Sequence, residues 1–204
     1  MNNKIICILG IPGSGKTTVG NSLSRLYKVK FLEEAWTGIP FLFPENIVTS
    51  SQFEINVGFL NMRYNQNIQA SIHSKDTHVV LDTCITMSDI YSKRTMHDYE
   101  YSEFKKVFNI YKKDISEPSL YVYLKGDVNV VYKRMLKRNE AISDSITEKV
   151  NIKLDDLVNF KNDIDYFLSQ ASKDKILEID INTIDLREDI NIKSFFDRLM
   201  LALK

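Results

Sequence analysis

The feature that most constrains this chain is an eight-residue run near its start, Gly10-Ile-Pro-Gly-Ser-Gly15-Lys16-Thr17. It satisfies G-x-x-x-x-G-K-[ST] in full. Lys4–Leu9 (KIICIL), directly before it, is an apolar run of buried-strand length, and Thr17–Tyr27 directly after it reads as a helix. A strand feeding a tight loop and then a helix is the opening unit of an α/β sheet. Gly10, Gly13 and Gly15 let the backbone wrap closely, so that its N–H groups, including that of Ser14, turn inward on a phosphate. The helix adds the positive end of its dipole. Lys16 is placed to reach the β- and γ-phosphates. The Thr17 hydroxyl is placed to ligate Mg²⁺, with Thr18 behind it. The motif predicts binding of ATP or another nucleoside triphosphate with Mg²⁺.

The rest of the chain alternates short apolar runs with longer helical patterns. Strands are expected at Lys28–Leu32, His78–Asp82, Ser119–Leu124 and Lys175–Ile181. Helices are expected over 53–72, 87–96, 98–114, 127–139, 145–170 and 187–203. Residues 53–72 carry Phe53, Val57, Leu60, Tyr64 and Ile68 as a helical stripe. Strands separated by helices of ten or more residues imply parallel crossovers and a three-layer α/β sandwich. The 204 residues fit a single domain, 1–204. Asp82 ends the third strand and fits the acid that helps a phosphate loop to hold Mg²⁺.

Charge excludes some functions. Twenty-seven Lys and Arg balance 27 Asp and Glu, so no global basic excess serves nucleic acid or an anionic membrane. No apolar run approaches a membrane span. Ile5–Leu9 is too short for the apolar part of a signal peptide. Cys7 and Cys84 read as reduced core thiols, and a cytoplasmic setting is expected. His73, His78 and His97 lack metal-ligand spacing. The neutral total conceals a local excess: residues 125–138 hold five cations against one acid, while 151–204 hold eight cations against eleven acids.

Further segments gain force from their order. Glu34 is followed six residues later by Pro40, then Phe41-Leu42. Asn56, Phe59-Leu60 and Arg63 lie on the next helix, with Asn56 and Arg63 near two turns apart on one face. Asp82-Thr83-Cys84 closes the third strand, with Ser88-Asp89 after it. Pro118–Leu124 precedes Arg134 and Arg138, four apart on one helix face. Together, over roughly residues 4–200, these segments resemble the deoxynucleoside kinase family. The resemblance implies a P-loop nucleoside-kinase fold with a five-stranded parallel sheet in the order 2-3-1-4-5, helices on both faces and a short helical lid at about 125–145. It implies that Glu34 is the general base at a nucleoside 5′-hydroxyl, with Glu33 as the competing candidate. It implies that Asn56 and Arg63 read the base, that Phe59 packs on it, and that Asp89 contacts the base or Arg63. Trp36 lines the pocket or packs in the core. Lys16, Arg134 and Arg138 act on the transferring phosphoryl group, and the loop Asn182–Leu186 lies where adenine is held. A homodimer through the helices near 53–72 and 87–114 is implied as well.

The departures from the family pattern are specific. Thr83 stands where the family has Arg, Asn56 where it has Gln, and Glu140 where an ungapped reading has a third lid Arg. Arg94 or Arg63 is a candidate for the missing cation. The activity this implies is ATP- and Mg²⁺-dependent phosphorylation of a deoxynucleoside 5′-hydroxyl in nucleotide salvage. Two alternatives stand beside it: a nucleoside monophosphate kinase of the thymidylate kinase type, and a nucleotide-binding regulator without phosphotransfer. Seven arginines are few for the monophosphate kinase, which needs cations for a second phosphate.

Overall fold

A computed structural model of the chain describes residues 4–34, 51–141 and 152–204. In chain order the elements are β1 (Ile5–Leu9), α1 (Lys16–Tyr27), β2 (Lys30–Leu32), α2 (Gln52–His73), β3 (Val79–Asp82), α3 (Ile85–Thr95), α4 (Asp98–Asp114), β4 (Leu120–Lys125), α5 (Val128–Ala141), α6 (Leu154–Gln170), β5 (Ile176–Asp180) and α7 (Asp189–Ala202). Among the described residues the strands form one five-stranded parallel sheet in the order β2-β3-β1-β4-β5. This is the predicted order. With that order, right-handed crossovers send α1 over one face and α2 over the other.

Strands buried on both faces need continuous apolar sequence, and β1 and β3 are buried at every position. On one face α1 packs on α7, where Tyr27 stacks on Phe196 with ring centroids 3.8 Å apart. A second apolar cluster, Leu60, Ile85, Met96, Phe104 and Phe108, joins α2, α3 and α4. Gly20 marks a close approach, because a Cβ there would lie 2.2 Å from the Phe31 ring. Helix α2 begins with a full capping box between Ser51 and Glu54. Helix α6 begins at Leu154, behind an extended Lys153, and not at 145. Its first turn holds Asp155 and Asp156, which suit a helix N-terminus. Positions 145–151, Trp36, Pro40, Phe41, Leu42 and the last part of the expected lid lie outside the described residues. No described helix is long and apolar enough to cross a membrane.

Candidate active site

The parallel register sets the site. Ile8 pairs with Asp82, Cys7 with Leu81, and Leu32 with Leu81. The loop after β1, the end of β3 and the segment after β2 therefore open at one edge of the sheet. That is the edge at which open α/β sheets bind ligands.

Gly13 and Gly15 adopt φ of 84° and 96°, a region that side chains rarely enter. Gly15 caps α1 with no side-chain acceptor, and no acid occupies the first turn. The N–H groups there are left for an anion. A Cβ on Gly15 would meet nothing within 4 Å, so the loop is open on that side. Ser14 is buried, and among the described residues its Oγ has no hydrogen-bond partner. An orphaned buried hydroxyl inside a phosphate loop is what a bound phosphate would satisfy. The Lys16 ammonium donates to the Gly10 carbonyl at 3.1 Å and lies 4.0 Å from Asp82 Oδ1. The Thr17 hydroxyl donates to Asp82 Oδ2 at 3.1 Å. Two hard oxygen donors side by side fit Mg²⁺, which takes few protein ligands and keeps phosphates and water. Thr18 is exposed and lines the same opening.

That opening is a cleft of about 770 Å³ between the loop, α5 and the segment after β5. Arg134 and Arg138 both line it, as the four-residue spacing on α5 requires. Arg134 donates to the Ile181 carbonyl at 3.2 Å, tying α5 to the expected adenine loop. Residues 181–187 form the opposite wall. Hydrogen bonds from Arg187, with a smaller contribution from Arg134, pull Asp185 down to about 2. Lys137 and Arg187 also line the cleft. Sequence reasoning gave them no role, although Lys137 stands inside the cationic segment.

The expected acceptor residues form a second cluster between α2 and α3. Arg63 is buried. Its Nε and Nη2 donate to Glu34 Oε1 at 2.8 and 2.6 Å, and its Nη1 donates to Ser88 Oγ at 2.8 Å. Burial opposes the charge on Arg63, but the Glu34 carboxylate, together with Tyr91 and Cys84, holds the guanidinium above its ordinary value. The Phe59 and Tyr91 rings lie 5.1 and 5.6 Å from its Cζ. Burial pushes the Tyr91 hydroxyl well up. Asn56 is also buried. Its amide donates to the Gln52 carbonyl at 2.8 Å and to Thr95 Oγ1 at 3.0 Å, and its Oδ1 accepts from Ser92 at 3.1 Å.

The structure brings Glu34 to Arg63 and separates others. Asp89 does not pair with Arg63. It accepts from Tyr101 at 2.9 Å and pairs with Lys105. Arg94 donates to Asp163 at 2.8 Å and lies over Phe160, so it binds α3 to α6 and does not supply the missing cation. Thr83 holds φ of 74°, an uncommon state for a β-branched residue. Its N–H donates to the Ile8 carbonyl at 3.1 Å. Ser88, Ser92 and Thr95 had no assigned role in the sequence. Their spacing of four and three was the available signal: a polar stripe on one face of α3.

A family model described as deoxynucleoside kinase matches residues 6–200. Deoxyguanosine kinase of Bacillus subtilis (strain 168) is 29% identical over 145 residues, which is 69% of this chain and 70% of that protein. Putative kinase protein 143R of invertebrate iridescent virus 6 is 29% identical over 188 residues, which is 89% and 91% of the two chains. Among solved structures, deoxyadenosine kinase from M. mycoides with bound dATP superposes with a TM-score of 0.75. The match covers 97% of this chain and 100% of that one, at 17% identity, and is a likeness of fold.

Proposed function

The chain belongs to the deoxynucleoside kinase family, and from that premise we propose that it transfers the γ-phosphoryl group of ATP to the 5′-hydroxyl of a deoxynucleoside, with Mg²⁺, in nucleotide salvage. It is an ATP-dependent phosphotransferase. The observation that carries the finer reading is the shared sheet edge. Gly10 follows β1, Asp82 ends β3 and Glu34 lies two residues after β2, so the donor cradle and the carboxylate stand at the same end of the parallel sheet.

The phosphate loop and α1 N-terminus hold the triphosphate. Lys16 exchanges its carbonyl partner for phosphate oxygens, and Arg134 and Arg138 approach from α5 to balance the transferring group. Such preorganised cations are where phosphoryl transfer gains most of its rate. Thr17 and Asp82 hold Mg²⁺, which when bound neutralises phosphate charge. Glu34 takes the proton of the acceptor hydroxyl as its oxygen attacks phosphorus and ADP leaves. Phe59 packs beside the acceptor. Asn56 and Asp89 belong to the acceptor side of the fold, where their protein partners hold them.

The arginines support a neutral acceptor over a monophosphate. Arg25, Arg63, Arg94 and Arg187 are each in an ion pair, and Arg198 donates to the Glu178 carbonyl. Arg134 and Arg138 stand at the donor cleft. No arginine is left over for a second phosphate. The alternative of nucleotide binding without transfer is disfavoured by the intact phosphate loop and the retained Glu34. A cytoplasmic setting fits the two free buried thiols, Cys7 and Cys84.

The test is incubation with ATP, Mg²⁺ and a panel of nucleosides and nucleotides, read by mass spectrometry. A nucleoside monophosphate is expected. If no acceptor is phosphorylated, the proposal is wrong. Glu34→Gln is expected to lose turnover while ATP binding, measured by calorimetry, stays within about twofold; retained turnover rejects Glu34 as the base.

A further inference from the structure

We infer that Arg63 is the positioning residue of the acceptor carboxylate Glu34, and that it does not read the base. The inference rests on Glu34 acting at the acceptor hydroxyl, as proposed above.

The guanidinium has five N–H donors in a rigid plane. Three of its nitrogens are committed inside the protein: Nε and Nη2 to Glu34 Oε1, and Nη1 to Ser88 Oγ. The side chain is 6% exposed, and Phe59 and Tyr91 lie against it. Turning a cation so enclosed toward a ligand would break its pair with a carboxylate whose side chain is only 20% exposed, which is costly. Both bonds to Glu34 fall on a single oxygen. Among the described residues no donor engages Oε2. The pair therefore fixes the orientation of the carboxylate while leaving one oxygen to accept a proton. Position 83, at the end of β3, holds a threonine and brings no charge to this carboxylate. The remaining cation candidate, Arg94, is held by Asp163. Arg63 is thus the described arginine that touches Glu34.

Ser88 completes the device. It is buried, and its hydroxyl fixes the far end of the guanidinium from α3. The alignment of Glu34 consequently depends on the seating of α2 against α3. An aligned general base raises kcat and leaves ground-state binding of the nucleoside alone, whereas a base-reading arginine would set KM differently for each nucleobase.

The experiment measures kcat and KM of Arg63→Lys and Ser88→Ala for every deoxynucleoside that the unmodified chain accepts. Lysine keeps the charge and loses the two-pronged grip on Oε1. For Arg63→Lys, kcat is expected to fall by about 10- to 100-fold, by the same factor for every nucleoside. KM for nucleoside and for ATP stays within about twofold, and the order of nucleoside preference is unchanged. Ser88→Ala gives the same pattern at about two- to tenfold. Unequal KM changes among nucleosides, or an unchanged kcat in a folded variant, overturn the inference. If Arg63→Lys does not fold, as judged by thermal melting and ATP binding, Ser88→Ala decides by the same criteria. An unmodified chain that phosphorylates no nucleoside overturns the kinase proposal and this inference together, an outcome distinct from either variant pattern.

Discussion

Asp82 joins the two halves of the donor site by two contacts. One carboxylate oxygen accepts from the Thr17 hydroxyl, and the other lies 4.0 Å from the Lys16 ammonium. It reaches that position because β3 pairs with β1 in a register that sets it beside Ile8, two residues before Gly10. A carboxylate there serves Mg²⁺ through its charge, so removing the charge while keeping the shape isolates the effect. Asp82→Asn is expected to raise the Mg²⁺ concentration needed for half-maximal rate by about 10- to 100-fold, with the fold retained. A magnesium titration at saturating ATP checks this. Most donor-side residues were legible at this scale without a structure. A phosphate loop is contiguous in sequence, and its glycines, lysine and threonine act through local backbone geometry. Even so, the unpartnered Ser14 hydroxyl became visible only when its burial was known.

The seam between α2 and α3 shows what periodicity can and cannot say. Asn56 and Arg63 share a face of α2, as their seven-residue spacing requires. That spacing is silent about what covers the face. The answer is the polar stripe of α3, with Ser92 and Thr95 meeting Asn56 and Ser88 meeting Arg63. Asn56 thereby holds two helices together. Asn56→Ala would leave the buried Ser92 hydroxyl without its acceptor and is expected to cost about 1–3 kcal/mol. Chemical denaturation followed by circular dichroism checks the figure. Two residues expected near the acceptor went elsewhere for a similar reason. Asp89 and Arg94 lie on α3 with Ser88, but on other faces, where Lys105 of α4 and Asp163 of α6 reach them.

Over the whole molecule, the first strand and the β3 entrance meet through His78. Its Nδ1 accepts from the Lys4 N–H at 3.2 Å, and burial, with the Lys4 charge, holds the imidazole below its ordinary 6.5. The folded value is depressed, so the unfolded chain takes up the extra proton first as pH falls. Stability from this site is present above the unfolded value and lost as pH drops through the folded one. The melting temperature is expected to fall between about pH 7.5 and about pH 5, and less steeply in His78→Asn than in the unmodified chain. Oligomeric state belongs to this scale too. Tyr99 and Ile110 of α4 are 71% and 60% exposed, on one of the helices through which the family resemblance implies a homodimer. Light scattering is expected to return twice the chain mass of 23.7 kDa.

By itself the sequence determined the donor loop and the alternation of strands and helices, and the family resemblance carried by its motifs implied the strand order. The first two follow from contiguous residues, and the third from the order and spacing of short motifs along the chain. Only the tertiary structure decided which side chains meet across the acceptor side. Arg63 and Glu34 stand 29 residues apart, and Arg94 and Asp163 stand 69 apart. A carboxylate has no preference in sequence for one cation over another. The choice is made by which helix faces pack together and which charges that packing buries.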